Sequence, residues 1–483
     1  MEAKMTRFIS LVLVLILLTL SSLALFSCSG EGGDGGSDIE LTRGENGNWW
    51  VGGRDTGVSY AMSVTDSEAR FITSGGIEYC VLTLTFSDGT TETVLVEVPK
   101  EEVFIPTATV TNGYGGANGI VCLMTDNDSG KFETVEILDE LYAEYGLVGG
   151  LGTVVKNLYS DKEYTSPKYD TIARWQEYLD TGRWKIINHS MTHTTYCDFV
   201  DGERVVNKER LYSELVTSAE KLRELFPDQN VLTYANTGTQ SALGNNATSD
   251  PTNIRERERK LIAEYYIGGR FKGAGATSFE DLQWNNLPHG LISRANLEYI
   301  LNNIDKAATE GKYYMVYNHY VIEDALLETV NESSWTNIST VKALCQRVSE
   351  YVDQGLLWNA HFEDAVLYMR ERETASVMSE YKNGVINIVL TDEMDNTVYN
   401  HKLTLRVKVP DGFKTVKITQ GDEVSYAEVK HDGKDAYVLA NLLPDNGLAT
   451  IEAVDSGEIS EASSIGGLPI AADARTLRKK QEA

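Results

Sequence analysis

The sequence predicts an α/β protein whose central region closes as a parallel barrel between two all-β regions. Over residues 104–375, seven apolar runs (120–125, 146–152, 185–189, 230–234, 264–269, 313–319 and 356–361) alternate with helical patterns. Strands alternating with amphipathic helices make a parallel sheet, and seven of them point to a barrel more than to an open sheet. On either side, at 38–100 and 380–455, short alternating runs are punctuated by Gly, Asn and Asp, the pattern of antiparallel hairpins.

From the N-terminus, Lys4 and Arg7 precede an apolar stretch over 8–26 that ends in Leu25-Phe26-Ser27-Cys28. A charged start, an apolar centre and a small residue before Cys describe a secretory signal. The ending resembles a bacterial lipobox, with Phe26 bulkier than usual. A membrane-spanning helix is the alternative, since the stretch is about long enough to cross a bilayer. The Gly/Ser/Asp run of 28–37 acts as a flexible tether and favours cleavage. The expectation is a signal peptide over 1–27, lipid on Cys28 and an exported protein anchored to a bacterial membrane, facing periplasm or cell surface.

In 38–100, Tyr79–Phe86 alternates, turns at Ser-Asp-Gly and continues at Thr91; an immunoglobulin-like module is expected. Trp49 and Trp50 read as core, with sugar contact as the alternative. The helical patterns of the central region are Val135/Leu138/Leu141/Tyr145, Leu211/Leu215/Leu222/Leu225, Leu297/Ile300/Leu301/Ile304 and Val341/Leu344/Val348/Val352. Five short runs in 380–455 describe a small β-sandwich. The Ser/Gly/Ala-rich, then basic, segment 456–483 is expected to be disordered.

Composition narrows the partners. With 43 Lys and Arg against 71 Asp and Glu the net charge is −28, which repels nucleic acid. After Cys28, Cys80, Cys122, Cys197 and Cys345 show no CxxC spacing, so neither a zinc ribbon nor a disulfide framework is indicated. The oligomeric state is not legible.

The chemistry centres on His189 and His193, two of only seven histidines. Four residues apart, they share one helical face or one tight turn, where two ring nitrogens can bind one divalent ion. A carboxylate from another segment would complete the set and leave positions open. A polar loop is the competing reading. Further polar sets follow the apolar runs at Thr125–Asp128, at His319, and at His361 with Glu363 and Asp364. Barrel sites lie at the C-terminal strand ends, but polar residues follow any buried strand, so the weight lies in their sum.

On these residues the central region resembles the NodB-like polysaccharide deacetylases, carbohydrate esterases of family 4. Val121-Cys-Leu-Met-Thr-Asp-Asn-Asp-Ser-Gly stands where that family has an apolar strand and Thr-aromatic-Asp-Asp-Gly. His189-Ser-Met-Thr-His matches its His-Ser/Thr-x-x-His. Gly311–His319 resembles the strand that delivers its late His, and Gly355–Arg372 its last strand and helix. The resemblance implies a distorted (β/α)7 barrel and one divalent ion, zinc first, with cobalt, nickel or manganese as alternatives. It implies Asp128, His189 and His193 as metal ligands. It implies His319 as the residue that protonates the leaving group or stabilises the oxyanion. The implied reaction is attack of metal-bound water on the acetyl carbonyl of a glycan.

The pattern is broken at the base, where the family's first acid falls on Asn127. Asp126 is the nearest alternative, but it occupies the aromatic position, which a strand turns to its other face. A bulge in the Thr125–Gly130 turn, or an alignment shift of one residue, would bring it round. The Arg-x-x-Pro-Tyr-Gly motif is here Leu232-Thr-Tyr-Ala-Asn-Thr-Gly, without Arg or Pro. Three readings stand: a metal-dependent deacetylase with Asp126 and His319 catalytic, a degenerate barrel that binds surface glycans, and a hydrolase of another bond.

Overall fold

The structure, a computed structural model, describes residues 41–43, 48–51, 54–59, 64–74, 77–86, 89–97, 104–127, 129–237, 253–330, 334–433 and 435–454. Cys28, Asp128, the expected signal peptide and tether, and the C-terminal tail lie outside the described residues. The chain divides into two compact units, up to Ile105 and from Pro106 onward. No helix among the described residues is long and apolar enough to cross a membrane.

The first unit is all β. Strands β1 (Leu41–Arg43), β2 (Asn48–Val51) and β3 (Arg54–Ser59) form one antiparallel sheet. A second is made by β4 (Val64–Ser74), β5 (Ile77–Phe86) and β6 (Thr91–Glu97). Strands β5 and β6 are the hairpin that the alternation predicts, with Tyr79 opposite Glu97 and Thr85 opposite Thr91. Among the described residues each sheet keeps chain order, as a meander does.

The second unit opens with β7 (Ala108–Val110) and then builds the barrel. Its strands are β8 (Gly119–Asn127), β9 (Gly149–Thr153), β10 (Trp184–Asn188), β11 (Thr233–Ala235), β12 (Gly268–Gly273), β13 (Leu287–Leu291) and β14 (Lys312–Asn318). Every neighbouring pair is parallel, and β14 pairs back onto β8 to close a seven-stranded ring. The helices wrap outside: α1 (Glu133–Tyr145), α2 (Tyr169–Asp180), α3 (Lys208–Leu225), α4 (Ile254–Tyr265), α5 (Leu297–Glu310) and α6 (Ile338–Asp353). Their buried residues include those that the spacing marks, such as Val135, Leu138 and Leu141 in α1 or Val341, Leu344 and Val348 in α6.

The number of strands agrees with expectation, but the membership does not. Strand β13, Leu-Pro-His-Gly-Leu, is missing from the seven apolar runs because Pro and Gly read as a break. The run 356–361 is not in the ring. It forms β15 (Leu357–Ala360), which pairs with Gly119–Cys122 on the side of β8 that carries β9 higher up. The strand thus wedges between β8 and β9 at the N-terminal end of the barrel. The Asn359 side chain fills the gap: its Oδ1 accepts from Val148 N at 2.7 Å, and its Nδ2 donates to Val121 O at 3.4 Å. Helix α7 (Phe362–Thr374) follows, and its Phe362, Ala365, Val366 and Met369 share one apolar cluster with the lumen residues Ile120, Cys122, Leu287 and Met315. This helix closes the floor.

Beyond α7 come β16 (Ser376–Lys382), β17 (Val385–Thr391), β18 (Leu403–Lys408), β19 (Thr415–Gln420), β20 (Glu423–Glu428), β21 (Lys430–Asp432), β22 (Asp435–Leu442) and β23 (Leu448–Ala453). They make a five-stranded sheet, ordered β16-β17-β23-β19-β20, and a four-stranded sheet, ordered β21-β22-β18-β7. Alternate residues such as Ile386, Ile388 and Leu390 or Val438 and Ala440 are buried. The four-stranded sheet takes its edge strand, β7, from the segment that precedes the barrel.

Candidate active site

Alternation along β8 sets the first element of the site. Ile120, Cys122 and Met124 belong to the lumen cluster, whereas Val121 and Leu123 belong to the cluster under the helices. Asp126 continues the lumen row. Strand β8 pairs with β14 through Thr125 and with β9 through Asn127 without a register shift, so among the described residues no bulge interrupts β8 up to Asn127, and ordinary alternation brings the carboxylate inward. Asn127 faces the other way, and its Nδ2 donates to Lys131 O at 3.0 Å. At Gly152, across from Asp126, an added Cβ would sit 3.1 Å from Asp126 Oδ1, so the glycine makes room for the acid.

Asp126 is 2% exposed and fully engaged. Arg270 of β12 meets it bidentately, Nη1 to Oδ1 at 2.9 Å and Nη2 to Oδ2 at 2.8 Å. His189 Nε2 and His319 Nε2 lie 3.8 and 3.9 Å from the same Oδ2. Burial pushes the carboxyl up, but the charge of Arg270, with His189 and His319 behind it, outweighs burial and holds it below its usual range. Arg270 also donates to Asn236 O at 2.9 Å. Asn236 in turn donates to the buried Glu258 at 2.8 Å. The motif over 232–238 lacks an arginine, yet the acid has one, supplied by the next strand of the ring. The signal for it was an Arg directly after the Gly-Gly pair of β12.

His189 and His193 sit on the turn that follows β10, not on a helix. His189 is 1% exposed and its Nδ1 lies 2.8 Å from Ala235 O. The rings of His189 and His193 are 5.1 Å apart at 62°. Two residues of the turn, Ser190 (φ 79) and His193 (φ 58), occupy the left-handed region, a strain of the kind that functional turns retain. Hydrogen bonds hold it there: Ser190 Oγ accepts from His193 N at 2.9 Å, and Glu214 Oε2 accepts from Thr192 N at 2.7 Å. Glu214 is buried, and it lies in a π-helical turn of α3 (Ser213–Thr217) that buries three consecutive residues, Glu214, Leu215 and Val216. Sequence reasoning missed Glu214, since the widened turn breaks the 3.6-residue pattern.

His319 follows Tyr313, Met315 and Tyr317 on the lumen face of β14, and its ring is 5.4 Å from that of Tyr317. Asp126, His189, His193 and His319 therefore gather at the C-terminal mouth. His361, Glu363 and Asp364 do not; they lie at the opposite end. Both His361 ring nitrogens face backbone carbonyls at 3.1 Å, of Gly149 and Gly182. Asp364 pairs with Lys185 at the start of β10, at 2.6 Å. Because β15 stops level with the lower half of β8, its polar C-terminal residues meet the floor and not the mouth.

Fold and site together define a closed parallel α/β barrel with a histidine–carboxylate–arginine cluster at its C-terminal mouth. No family model matches the chain. Over 211 residues it is 26% identical to a gellan lyase of a Bacillus species, a span of 40% of this chain and 8% of that protein. It is similar to a family 4 carbohydrate esterase from Streptomyces lividans solved with acetate (13% identity, 50% of this chain, 93% of that one, TM-score 0.29). It is similar to a peptidoglycan deacetylase from Bacillus subtilis (13% identity, 53% and 94%, TM-score 0.30). It is also similar to a mutant of a CE4 family pseudoenzyme (12% identity, 62% and 92%, TM-score 0.31). At such scores the fold class rests on the strand order of this chain.

Proposed function

We propose that the barrel is a metal-dependent deacetylase or esterase acting on acetylated glycans. One observation carries the reading: two imidazoles, of His189 and His319, converge within 3.9 Å on the carboxylate oxygen of Asp126 at the mouth. The name of the matched gellan lyase supports a glycan as the ligand class.

His189 and His193, with Asp128, would hold one divalent ion, zinc first and cobalt, nickel or manganese as alternatives. The imidazoles fit that role. Their centroid separation of 5.1 Å is close to the roughly 5 Å expected of two rings on one tetrahedral ion. His189 turns Nδ1 to a backbone carbonyl, the second contact that metal-binding imidazoles ordinarily make. When bound, the ion would polarise the acetyl carbonyl and acidify water. Asp126 then takes the proton of the attacking water, Arg270 orients that carboxylate, and His319 hands a proton to the leaving group or steadies the oxyanion.

A second reading is a catalytically degenerate, glycan-binding barrel. It is favoured by the two-point pairing of Asp126 with Arg270, which weakens the acid as a base. Metal analysis and acetate release from acetylated xylan and chito-oligosaccharides separate the two. We expect His189→Ala and His193→Ala to lower metal affinity at least about ten- to a hundredfold under chelator challenge; full metal retention in both removes the site. A wild type that binds glycan and metal but releases no acetate is the degenerate barrel.

We further propose export with lipid on Cys28, anchoring the chain to a bacterial membrane. Mass spectrometry of membrane-extracted protein should find a lipidated chain beginning at Cys28, and Cys28→Ala should leave the precursor uncleaved or release the protein. An unmodified chain starting elsewhere overturns it.

A further inference from the structure

We infer that His289 and His319, both against Tyr317, each offer a hydrogen-bonding nitrogen to hydroxyl groups of a neutral glycan. The inference rests on the glycan-directed reading above and goes beyond it, giving a ligand contact to His289, which the metal and acid–base roles leave unused.

His289 lies on β13, two residues beyond the buried lumen residue Leu287 and so on the same face of the strand. Its ring stacks on Tyr317, with centroids 5.0 Å apart at 18°. The ring of His319 lies 5.4 Å from that of Tyr317. Tyr317 thus links the two imidazoles, and the Arg270 guanidinium lies 4.2 Å from its ring centre. Nδ1 of His289 and Nδ1 of His319 are both buried, and neither has a hydrogen-bond partner among the described residues. A buried polar atom left unmatched costs about 1–3 kcal/mol. Two such atoms, on rings that both touch Tyr317 beside the candidate active site, call for a ligand that matches them.

The ligand's chemistry follows from theirs. Burial, with the positive charge of Arg270 adding to it against the pull of Asp126, lowers the pKa of His289 to about 3. The ring is therefore neutral over the ordinary range of pH. A neutral imidazole offers one donor and one acceptor, and a hydroxyl group answers either. An anionic ligand is disfavoured, because both terminal nitrogens of Arg270 are committed to Asp126 and the chain carries a net −28. A hydroxyl-rich, uncharged sugar fits these groups.

The test is calorimetric titration of the full chain with acetylated chito-oligosaccharide and acetylated xylo-oligosaccharide, with metal content measured alongside. His289→Phe keeps an aromatic ring against Tyr317 and removes both nitrogens; His289→Asn returns a polar atom near Nδ1. The Phe variant should bind whichever sugar the wild type binds about five- to tenfold more weakly. The Asn variant should recover most of that loss, and metal content should not change in either. Should the Phe variant fail to fold by circular dichroism, His289→Leu against His289→Asn carries the same comparison. A Phe variant within twofold of the wild type overturns the subsite, as does a wild type that binds neither sugar. Weakened binding in a protein that releases no acetate keeps the subsite and removes the deacetylase. Acetate release with unimpaired binding by the Phe variant does the reverse.

Discussion

The two ends of the barrel carry nearly the same residue types and do different things with them. At the floor, Lys185, His361, Glu363 and Asp364 are consumed by one another and by backbone. Lys185 holds Asp364, Glu363 accepts from Leu232 N at 3.0 Å, and His361 faces two carbonyls. At the mouth, Asp126 is equally buried and equally paired, yet the imidazoles around it keep nitrogens unmatched among the described residues, Nδ1 of His289 and of His319. Histidine and carboxylate in a buried cluster do not by themselves mark a site. What marks one is polar capacity left over once the fold is satisfied.

The largest expected effect separates the ends by burial. Arg270→Leu leaves the Asp126 carboxylate buried without its partner and should cost about 3–5 kcal/mol in urea unfolding. Pairing it with Asp126→Leu should restore much of the loss. If Arg270→Leu costs under about 1 kcal/mol, the ion pair is not the mouth's main support.

A smaller effect is set by pH. Burial raises the pKa of Glu258, linked to the mouth through Asn236, from its usual 4.5 to about 8, against the lowering hydrogen bonds of Asn236 and Tyr196. Between those values the folded chain keeps a proton that the unfolded chain gives up, so stability is full below 4.5 and falls as pH rises toward 8. The slope should approach about 1.4 kcal/mol per pH unit. Glu258→Gln should remove this slope, gaining on the wild type at pH 8 but not at pH 4.5; parallel unfolding curves at both pH values would contradict it.

The smallest effect belongs to the floor. Lys185→Met removes a pair whose side chains are 33% and 23% exposed, so water screens much of the loss. We expect about 1–2 kcal/mol in unfolding and no change in metal content or sugar binding. A change in either would give the floor a part in the site and erase the contrast between the ends.

Much of the outline was legible along the chain because its causes are local. The 3.6-residue spacing of Val135, Leu138 and Leu141 or of Val341, Leu344 and Val348 is a property of a few turns of helix. The alternation at 79–86 and 385–390 is likewise settled by neighbours. His189-Ser-Met-Thr-His was legible as a motif, and His319 as the end of an apolar run. Strand β13 was not, because its Pro and Gly conceal a strand that only its partners β12 and β14 enforce.

Sequence by itself determined the alternation of strands with helices, the all-β regions on either side, and the histidines brought to a strand end. Only the tertiary structure decided which strand ends share a face. Closing the ring through β14 and β8 set Arg270, four strands from Asp126 along one arc, across the lumen from it. Wedging β15 beside the lower half of β8 sent His361, Glu363 and Asp364 to the floor, although their spacing from a strand is like that of His319. Periodicity along a chain fixes which side of its own strand a residue faces. Barrel closure and the stagger between strands set its height and its partners across the lumen, and no local pattern encodes those.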